Sequence, residues 1–286
     1  MSTAGPVLIT GCSTGIGRVT AERLLAAGHT VYATARRPET LGALSEAGAH
    51  TLALDVTDEA SMRAAVQVVE DGHGSVGTLV NNAGYGVYGP VEEVAMDDVR
   101  RQFETNVFGL GRLTQLVLPG MREAGRGRIV NMSSMGGRLV YPTGGWYHAS
   151  KYAVEALSDA LRVEVAPFGV QVVVVEPGLI RTEFESVASG GLDPAGASGP
   201  YADLRRHADA VMRRSYGSRL GAEPVAVAEV VRSAIEARRP RTRYVVTPAA
   251  KASVQLRRFG GDRVWDAVVR RTYRLGGTGA ATPPAG

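Results

Sequence analysis

The sequence predicts an α/β fold, a parallel sheet with helices on both faces, and three observations predict it. Short β-branched runs alternate with longer helical patterns through the first half of the chain, the rhythm of βαβ units. The runs VLIT and VQVVVVEP are almost continuously apolar rather than alternating, as strands buried on both sides require. A glycine cluster, Gly11, Gly15 and Gly17, follows the first run and opens a helical pattern, placing a tight turn between the first strand and its helix.

The strands fall at 6–10, 30–35, 50–54, 77–81, 127–133 and 170–175, with helices near 16–27, 58–70, 97–122 and 146–166. Gly28, Gly125, Gly127 and Gly169 punctuate the ends where the chain turns back into the sheet. A helix near 223–238 leads to a last strand, RYVVT, at 243–247. Residues 186–200, SVASGGLDPAGASGP, read as a mobile loop. Too little independent pattern follows to build a second core, so the loop is read as part of a lid over 183–215. Residues 249–275 read as a basic helical extension of one domain spanning 1–275, and residues 276–286 as a disordered tail.

A chain of 286 residues, 44% hydrophobic and 21% charged, can bury a sizeable core and is unlike a disordered or fibrous protein. No stretch approaches the roughly 20 apolar residues of a membrane span. The opening MSTAGPVLIT lacks the basic and apolar regions of a secretory signal. A cytoplasmic location without integral membrane association is therefore expected. The single Cys12 cannot form an intrachain disulfide, in keeping with a reducing compartment; it reads as a small filler or, since helix starts lower thiol pKa, as a reactive thiol.

The formal charge is +4, and seven basic residues stand against Asp262 and Asp266 between Lys251 and Arg274. Such a cluster attracts nucleic acid, membrane or anionic cofactors. Val264, Trp265, Val268 and Val269 also give it an apolar stripe at helical spacing. The reading preferred is a solvated helix face, with no nucleic-acid partner.

Thr10-Gly11-Cys12-Ser13-Thr14-Gly15-Ile16-Gly17 has the spacing Gly-x-x-x-Gly-x-Gly. Glycines there let backbone approach a pyrophosphate, and the helix start offers unpaired N–H groups to its charge. About 20 residues on, where an acidic residue would take the ribose 2′-OH of NAD, the chain reads Ala35-Arg36-Arg37-Pro38. Arg36 would accept a 2′-phosphate, so NADP(H) is expected over NAD(H), with Arg18 assisting. Arg36 and Arg37 also read as exposed loop charges in an arginine-rich chain.

Tyr147 and Lys151 stand four apart in a helical stretch and share one face. A phenol titrates near 10 and needs a neighbouring ammonium to approach the range useful for proton transfer. Only two lysines occur, Lys151 and Lys251, so one falling here stands out. Ser133 and Ser134 close the preceding strand, and alternation turns one of them toward the site.

Taken in order, TGCSTGIG at 10–17, LDVTD at 54–58, NNAG at 81–84, Asn106, Ser134, YHASK at 147–151 and EPGLIRT at 176–182 resemble the short-chain dehydrogenase/reductase family over roughly residues 5–250. The resemblance implies a Rossmann-like sheet in the order 3-2-1-4-5-6-7 and a hydride transfer between nicotinamide and a carbonyl or secondary alcohol. It makes Tyr147 the general acid or base, Ser134 the group that polarises the substrate oxygen, Lys151 the ribose ligand that lowers the tyrosine pKa, and Asn106 the support of a water-mediated proton relay. Gly11, Ser13, Thr14, Gly15, Ile16, Gly17, Arg36, Asp55, Val56, Asn82, Ala83, Gly84, Pro177, Gly178, Ile180 and Thr182 become cofactor-binding, together with Tyr147 and Lys151; no metal is implied.

Asn81 and Asn82 read equally as turn formers, Asn131 has no assigned role, and His148 reads as a neighbouring side chain because adjacent helix residues point about 100° apart. Phe184, Val187, Leu192, Tyr201, Leu204 and Val211, with Val140, Tyr141 and Trp146, offer an apolar pocket. In this the chain looks like family members acting on steroids, retinoids or other bulky apolar alcohols and ketones. A homodimer or homotetramer through the helices near 97–122 and 146–166 is implied by the same resemblance. A nucleotide-sensing protein without turnover is the other reading, though it has no need of Ser134, Tyr147 and Lys151 together.

Overall fold

The fold was analysed in a computed structural model, which describes residues 5–184, 190–194, 196 and 198–275. Strands β1 (Val7–Ile9), β2 (Val31–Ala35), β3 (His50–Ala53), β4 (Thr78–Asn81), β5 (Gly127–Met132), β6 (Val170–Glu176) and β7 (Arg243–Val245) form one sheet in the order β3-β2-β1-β4-β5-β6-β7. Every neighbouring pair is parallel.

The continuous apolar runs have a simple cause. Leu8, Leu79, Ile129 and Val172 enter one core with Val66 and Val69 of α3 (Glu59–His73) and Leu113 and Val117 of α5 (Leu110–Glu123). Their neighbours Ile9, Val80, Val130 and Val173 enter the opposite core, with Ala21 and Leu24 of α1 (Gly15–Ala26) and Val227 and Val231 of α8 (Pro224–Glu236). Adjacent strand residues thus face two buried layers, and neither face can be polar.

The helix expected over 97–122 is three pieces. Helix α4 (Met96–Phe103) passes through a π-helical turn, Glu104–Gly109, into α5. The wider turn accommodates two contacts that a regular spiral would miss. Gly109 lies against the Val56 carbonyl so closely that a Cβ would sit 2.2 Å from its oxygen, and Asn106 reaches Tyr85. A short helix α2 (Gly42–Glu46), absent from the sequence reading, joins β2 to β3.

Helix α6 (Gly145–Val165) packs on β6 and is held from below by charge. Arg243 of β7 donates to Glu155 (2.9 Å) and Asp159 (2.7 Å) of α6 and lies 3.3 Å from Glu176 of β6, which Arg138 also approaches at 3.2 Å. Burial, and then the nearby Glu155, raise the Glu176 carboxyl to about 7. Removing one partner of such a buried set typically costs about 3–5 kcal/mol.

Beyond residue 200, α7 (Ala202–Gly217) and α9 (Pro248–Thr272) line the cavity at the carboxyl end of the sheet with Ser134 and Gly178. Helix α9 is broken at Gly261, whose φ of 67° and ψ of −170° are not helical. Positions 185–189, 195 and 197 of the expected lid, and all of 276–286, lie outside the described residues.

Candidate active site

The glycine loop runs from β1 into α1 with Gly11 and Gly15 at φ 73° and 58°, a region costly for any residue with a Cβ. A Cβ on Gly17 would meet the Gly11 carbonyl oxygen at 2.2 Å and Asn82 Nδ2 at 2.5 Å. That closeness is enforced: Asn82 donates to the carbonyls of Thr10 (2.9 Å) and Gly11 (3.1 Å), while the Thr10 hydroxyl accepts from the N–H groups of Asn82 (3.0 Å) and Ala83 (2.9 Å). The side chain of Asn82, expected along a cofactor, is the clamp that shapes the loop.

Helix α1 opens with no side-chain hydrogen bond from its N-cap, Thr14, and no acidic residue in its first turn. In contrast, Asp58 caps α3 through the N–H groups of Ala60 and Ser61. Uncapped N–H groups beside a cradle that a Cβ would fill fit the pyrophosphate of a dinucleotide. Arg36 and Arg37 are exposed where β2 ends, and among the described residues neither has an ion-pair partner, whereas Arg18 pairs with Glu22 at 3.1 Å. Ser13 and Ile16 flank the loop partly exposed, and Gly15 approaches Thr182 Cγ2 to within 3.4 Å of a built Cβ. Asp55 spends one carboxylate oxygen on the N–H and hydroxyl of Thr57, and Val56 is buried. Cys12 is fully buried; burial pushes its thiol up to about 12, against the pull of a hydrogen bond to the Thr34 backbone, which leaves the filler reading and removes the reactive one.

Ser134 caps the turn after β5, accepting from the Gly136 N–H at 3.0 Å, and its hydroxyl is near enough to Tyr147, in the first turn of α6, to lower the phenol pKa. Ser133 instead turns its Oγ, which has no partner, toward Gly137 and Glu155. Lys151 is buried, its Nζ 2.9 Å from the Met132 carbonyl and 5.9 Å from the centre of the Tyr147 ring. A Cβ on Gly84 would stand 3.0 Å from Asn106 Oδ1 and 3.6 Å from Lys151 Nζ, so these groups meet at one place. Asn106 donates to the Tyr85 carbonyl (2.8 Å) and Ser150 (3.1 Å) and accepts from the Tyr85 N–H (3.0 Å).

The electrostatics differ from the sequence expectation. Burial pushes the Tyr147 phenol up to about 12, with only the Ser134 hydroxyl acting the other way. Burial also pulls the Lys151 ammonium down to about 8, opposed by Glu155. Desolvation outweighs the mutual stabilisation of phenolate and ammonium because both groups are out of water.

Ser134 and Tyr147 share the wall of a cavity of about 310 Å³ whose other walls include Tyr141, Val211, Met212, Trp265 and Tyr273. Tyr141 and Val211 lie where a pocket was expected. Val140 is exposed and only its carbonyl is engaged, by Trp265, while Trp146 bonds to Val91. Leu192 is packed in a core with Ala208 and Tyr273, and Val187 lies outside the described residues.

Several contacts escaped the sequence reading. Tyr88 and Phe184 pack around Tyr147 as tilted rings with centres 5.6 and 5.3 Å away. His148, nearly buried, accepts from the Tyr141 N–H (3.2 Å) and lies 3.1 Å from the Gly136 carbonyl, a geometry that suits a neutral ring with its proton on Nδ1. Burial lowers its pKa to about 4, opposed by the bond to Gly136. Thr143 lines the cavity with φ 67°, about 1–2 kcal/mol of strain for a side chain with a Cβ, held by the Gly89 N–H at 2.7 Å. The Pro177–Thr182 segment is pinned by Arg181, which donates to the carbonyls of Tyr216 (3.1 Å) and Ser218 (2.7 Å); Gly178 fits under Thr247, and Ile180 bridges to Ala222. Arg205 and Tyr201 tie α7 and the residue before it to Glu93 (2.5 Å) and Glu92 (2.6 Å). No local pattern announces these partners, because all but those of His148 are separated from their counterparts by tens of residues.

A parallel sheet with a glycine cradle at β1 and a Ser–Tyr–Lys constellation at β5 and α6 defines a nicotinamide-dependent oxidoreductase scaffold. The chain belongs to the short-chain dehydrogenase family, whose description matches residues 6–190. It is 44% identical over 179 residues to a 3-ketodihydrosphingosine reductase of Bacteroides thetaiotaomicron, covering 62% of this chain and 65% of that protein, just under two thirds of its length. It is 36% identical to an NADPH-dependent 3-dehydrocapnine reductase of Ornithobacterium rhinotracheale, covering 84% and 87%. A short-chain dehydrogenase from Streptomyces avermitilis has the same fold with a TM-score of 0.78, 32% identity and coverage of 96% and 98%. Solved relatives carry either cofactor: a serine dehydrogenase with NADP+ (TM-score 0.75, 30% identity, coverage 85% and 95%) and a Burkholderia phymatum enzyme with NAD (0.76, 28%, 90% and 94%).

Proposed function

We propose that this chain is an NADP(H)-dependent reductase of a bulky or long-chain apolar ketone, with residues 1–275 acting as one unit. The observation that carries the reading is the shared cavity wall of Ser134 and Tyr147, which faces aromatic and aliphatic side chains. The bound dinucleotide supplies the hydride. Ser134 holds the substrate oxygen, and Tyr147 delivers the proton to it. A phenol kept protonated by burial, with a pKa of about 12, suits proton donation and so the direction of reduction. Lys151 and Asn106, brought against Gly84, hold the ribose and support the path that returns the proton to Tyr147.

The cofactor would lie along Gly11 to Gly17, Asp55 and Val56, Asn82 to Gly84 and Pro177 to Thr182. Exposed Arg36 supports NADP(H) over NAD(H), because a guanidinium pairs with a 2′-phosphate. The apolar cavity and the two lipid-ketone reductases among the relatives support the substrate class. Self-association would run through the helices of 97–122 and α6, where Phe108 of the π turn and Leu157 and Val163 of α6 are exposed. No helix of the described residues is long and apolar enough to cross a membrane, and a cytoplasmic location remains part of the proposal.

The test is a panel of ketones of increasing chain length, followed by NADPH absorbance, with Tyr147→Phe as control. The variant should lose 10²–10⁴-fold in kcat, roughly the worth of a positioned proton donor, and still bind NADPH. A Tyr147→Phe protein as active as the parent on every accepted ketone overturns the assignment.

A further inference from the structure

The mouth of the cavity opens beside α9, and that helix is built unlike any other in the molecule. Leu256 before the break at Gly261 and Val268 after it both line the cavity, yet remain 42% and 37% exposed. One turn from each, outside the cavity, stand Phe259 and Val264, exposed to 80% and 43%. Spacings of three and four residues place each pair on one helix face, and the break lets both halves converge on the same opening.

The charged residues around this patch are predominantly basic. Residues 248–275 hold seven basic and two acidic side chains, a net +5. The whole chain is +4, so everything outside this segment is −1. Arg258, Arg263, Arg270 and Arg271 are exposed, with the Arg258 guanidinium 5.5 Å from the centre of the Phe259 ring, and one of the two acids, Asp262, is paired with Arg257.

We propose that the α9 face docks on an anionic lipid bilayer surface, with Phe259 and Val264 entering the headgroup layer and the arginines binding lipid phosphates, so that the cavity mouth is presented to the membrane. The charge pattern selects this occupant. A second copy would bring together two segments of +5 each, whereas an anionic surface strengthens adsorption on the order of fivefold for each basic side chain near it. An exposed phenylalanine flanked by arginines is the composition of a segment lying in the interface rather than crossing it.

The full chain is tested by co-sedimentation with vesicles of phosphatidylcholine alone and of phosphatidylcholine mixed with phosphatidylglycerol. The protein should pellet with the mixed vesicles at least tenfold more strongly than with the neutral ones. The double variant Phe259→Asp, Val264→Asp should lose at least tenfold of that binding while retaining the parent's melting temperature and its turnover of a short water-soluble ketone. Arg258→Ala with Arg263→Ala should lose binding to a smaller extent. A parent chain that stays in the supernatant overturns the proposal, as does a double variant that binds undiminished. Sedimentation velocity showing that the double variant dissociates a parental oligomer makes a second copy the occupant and overturns it too. Because binding is read without turnover, failure here leaves the enzymatic reading intact, and inactivity of the parent on every ketone leaves this one intact.

Discussion

Substituting Gly17 by alanine tests whether the glycine loop is shaped by Asn82 in the manner described. The added Cβ would lie 2.2 Å from the Gly11 carbonyl oxygen, where real Cβ contacts essentially never fall below 3.0 Å. The loop must therefore open by about 0.8 Å, and the atom that has to move is backbone, not the end of a flexible chain. The same carbonyl accepts from Asn82 at 3.1 Å, so the movement also breaks one or both Asn82 bonds. Overpacking costs roughly 1–3 kcal/mol and each lost bond roughly 0.5–1.5 kcal/mol, a total of about 1.5–6 kcal/mol. At roughly 2–4 °C per kcal/mol for a chain of this size, Tm should fall by roughly 3–24 °C.

NADPH affinity, measured by fluorescence titration, should weaken by more than an order of magnitude, since the displaced backbone is the proposed pyrophosphate seat. Gly111→Ala is the control: it lies within α5 with nothing within 4 Å of a built Cβ, and should stabilise the protein by about 0.5–1 kcal/mol. A Gly17→Ala protein whose Tm and NADPH affinity both match the parent's would refute the clamp.

Two further outcomes follow from the geometry. Arg36→Ala should lower kcat/KM with NADPH by roughly 10–100-fold, the worth of a charged hydrogen bond at about 1.5–3 kcal/mol, and leave NADH turnover near its parental value; equal losses with both cofactors refute the phosphate assignment. His148 gives a pH signature. Its folded pKa of about 4 lies below the ordinary imidazole value of 6.5, so the unfolded chain binds the extra proton first, and stability present above pH 6.5 is lost as pH falls toward 4. The loss is on the order of 3 kcal/mol from the displacement between those values, and denaturant unfolding of the parent should show it while His148→Gln does not.

The sheet was legible because every central strand is pressed between two cores, which forces apolar residues at consecutive positions and erases alternation. All seven strands and helices α1, α3 and α6 fall within a few residues of the patterns that predict them. The π-helical turn was not legible: Glu104 to Gly109 carries ordinary helical composition, and its cause lies in Val56 and Tyr85, distant in sequence. The same holds for the clamp of Asn82 on residues 71 and 72 positions earlier, and for the rings of Tyr88 and Phe184 around Tyr147. Asn131, without a role in the sequence, joins Asn81 and Ser158 in a buried chain linking β4, β5 and α6. Motif spacing located Ser134, Tyr147 and Lys151, but not the dryness of their surroundings, which reverses the expected direction of the tyrosine shift.

The family match ends at residue 190, and the cavity draws its walls from both sides of that point. Ser134, Tyr147, Lys151 and the glycine loop lie before it, while Met212, Trp265, Val268 and Tyr273, which close the cavity, lie after it. Inheritance can therefore act on the two portions at different rates: drift in the later segment reshapes what is admitted without disturbing the reacting groups, and a chimera exchanged at this junction should inherit its selectivity from whichever parent donates the tail, provided Arg243 still braces α6.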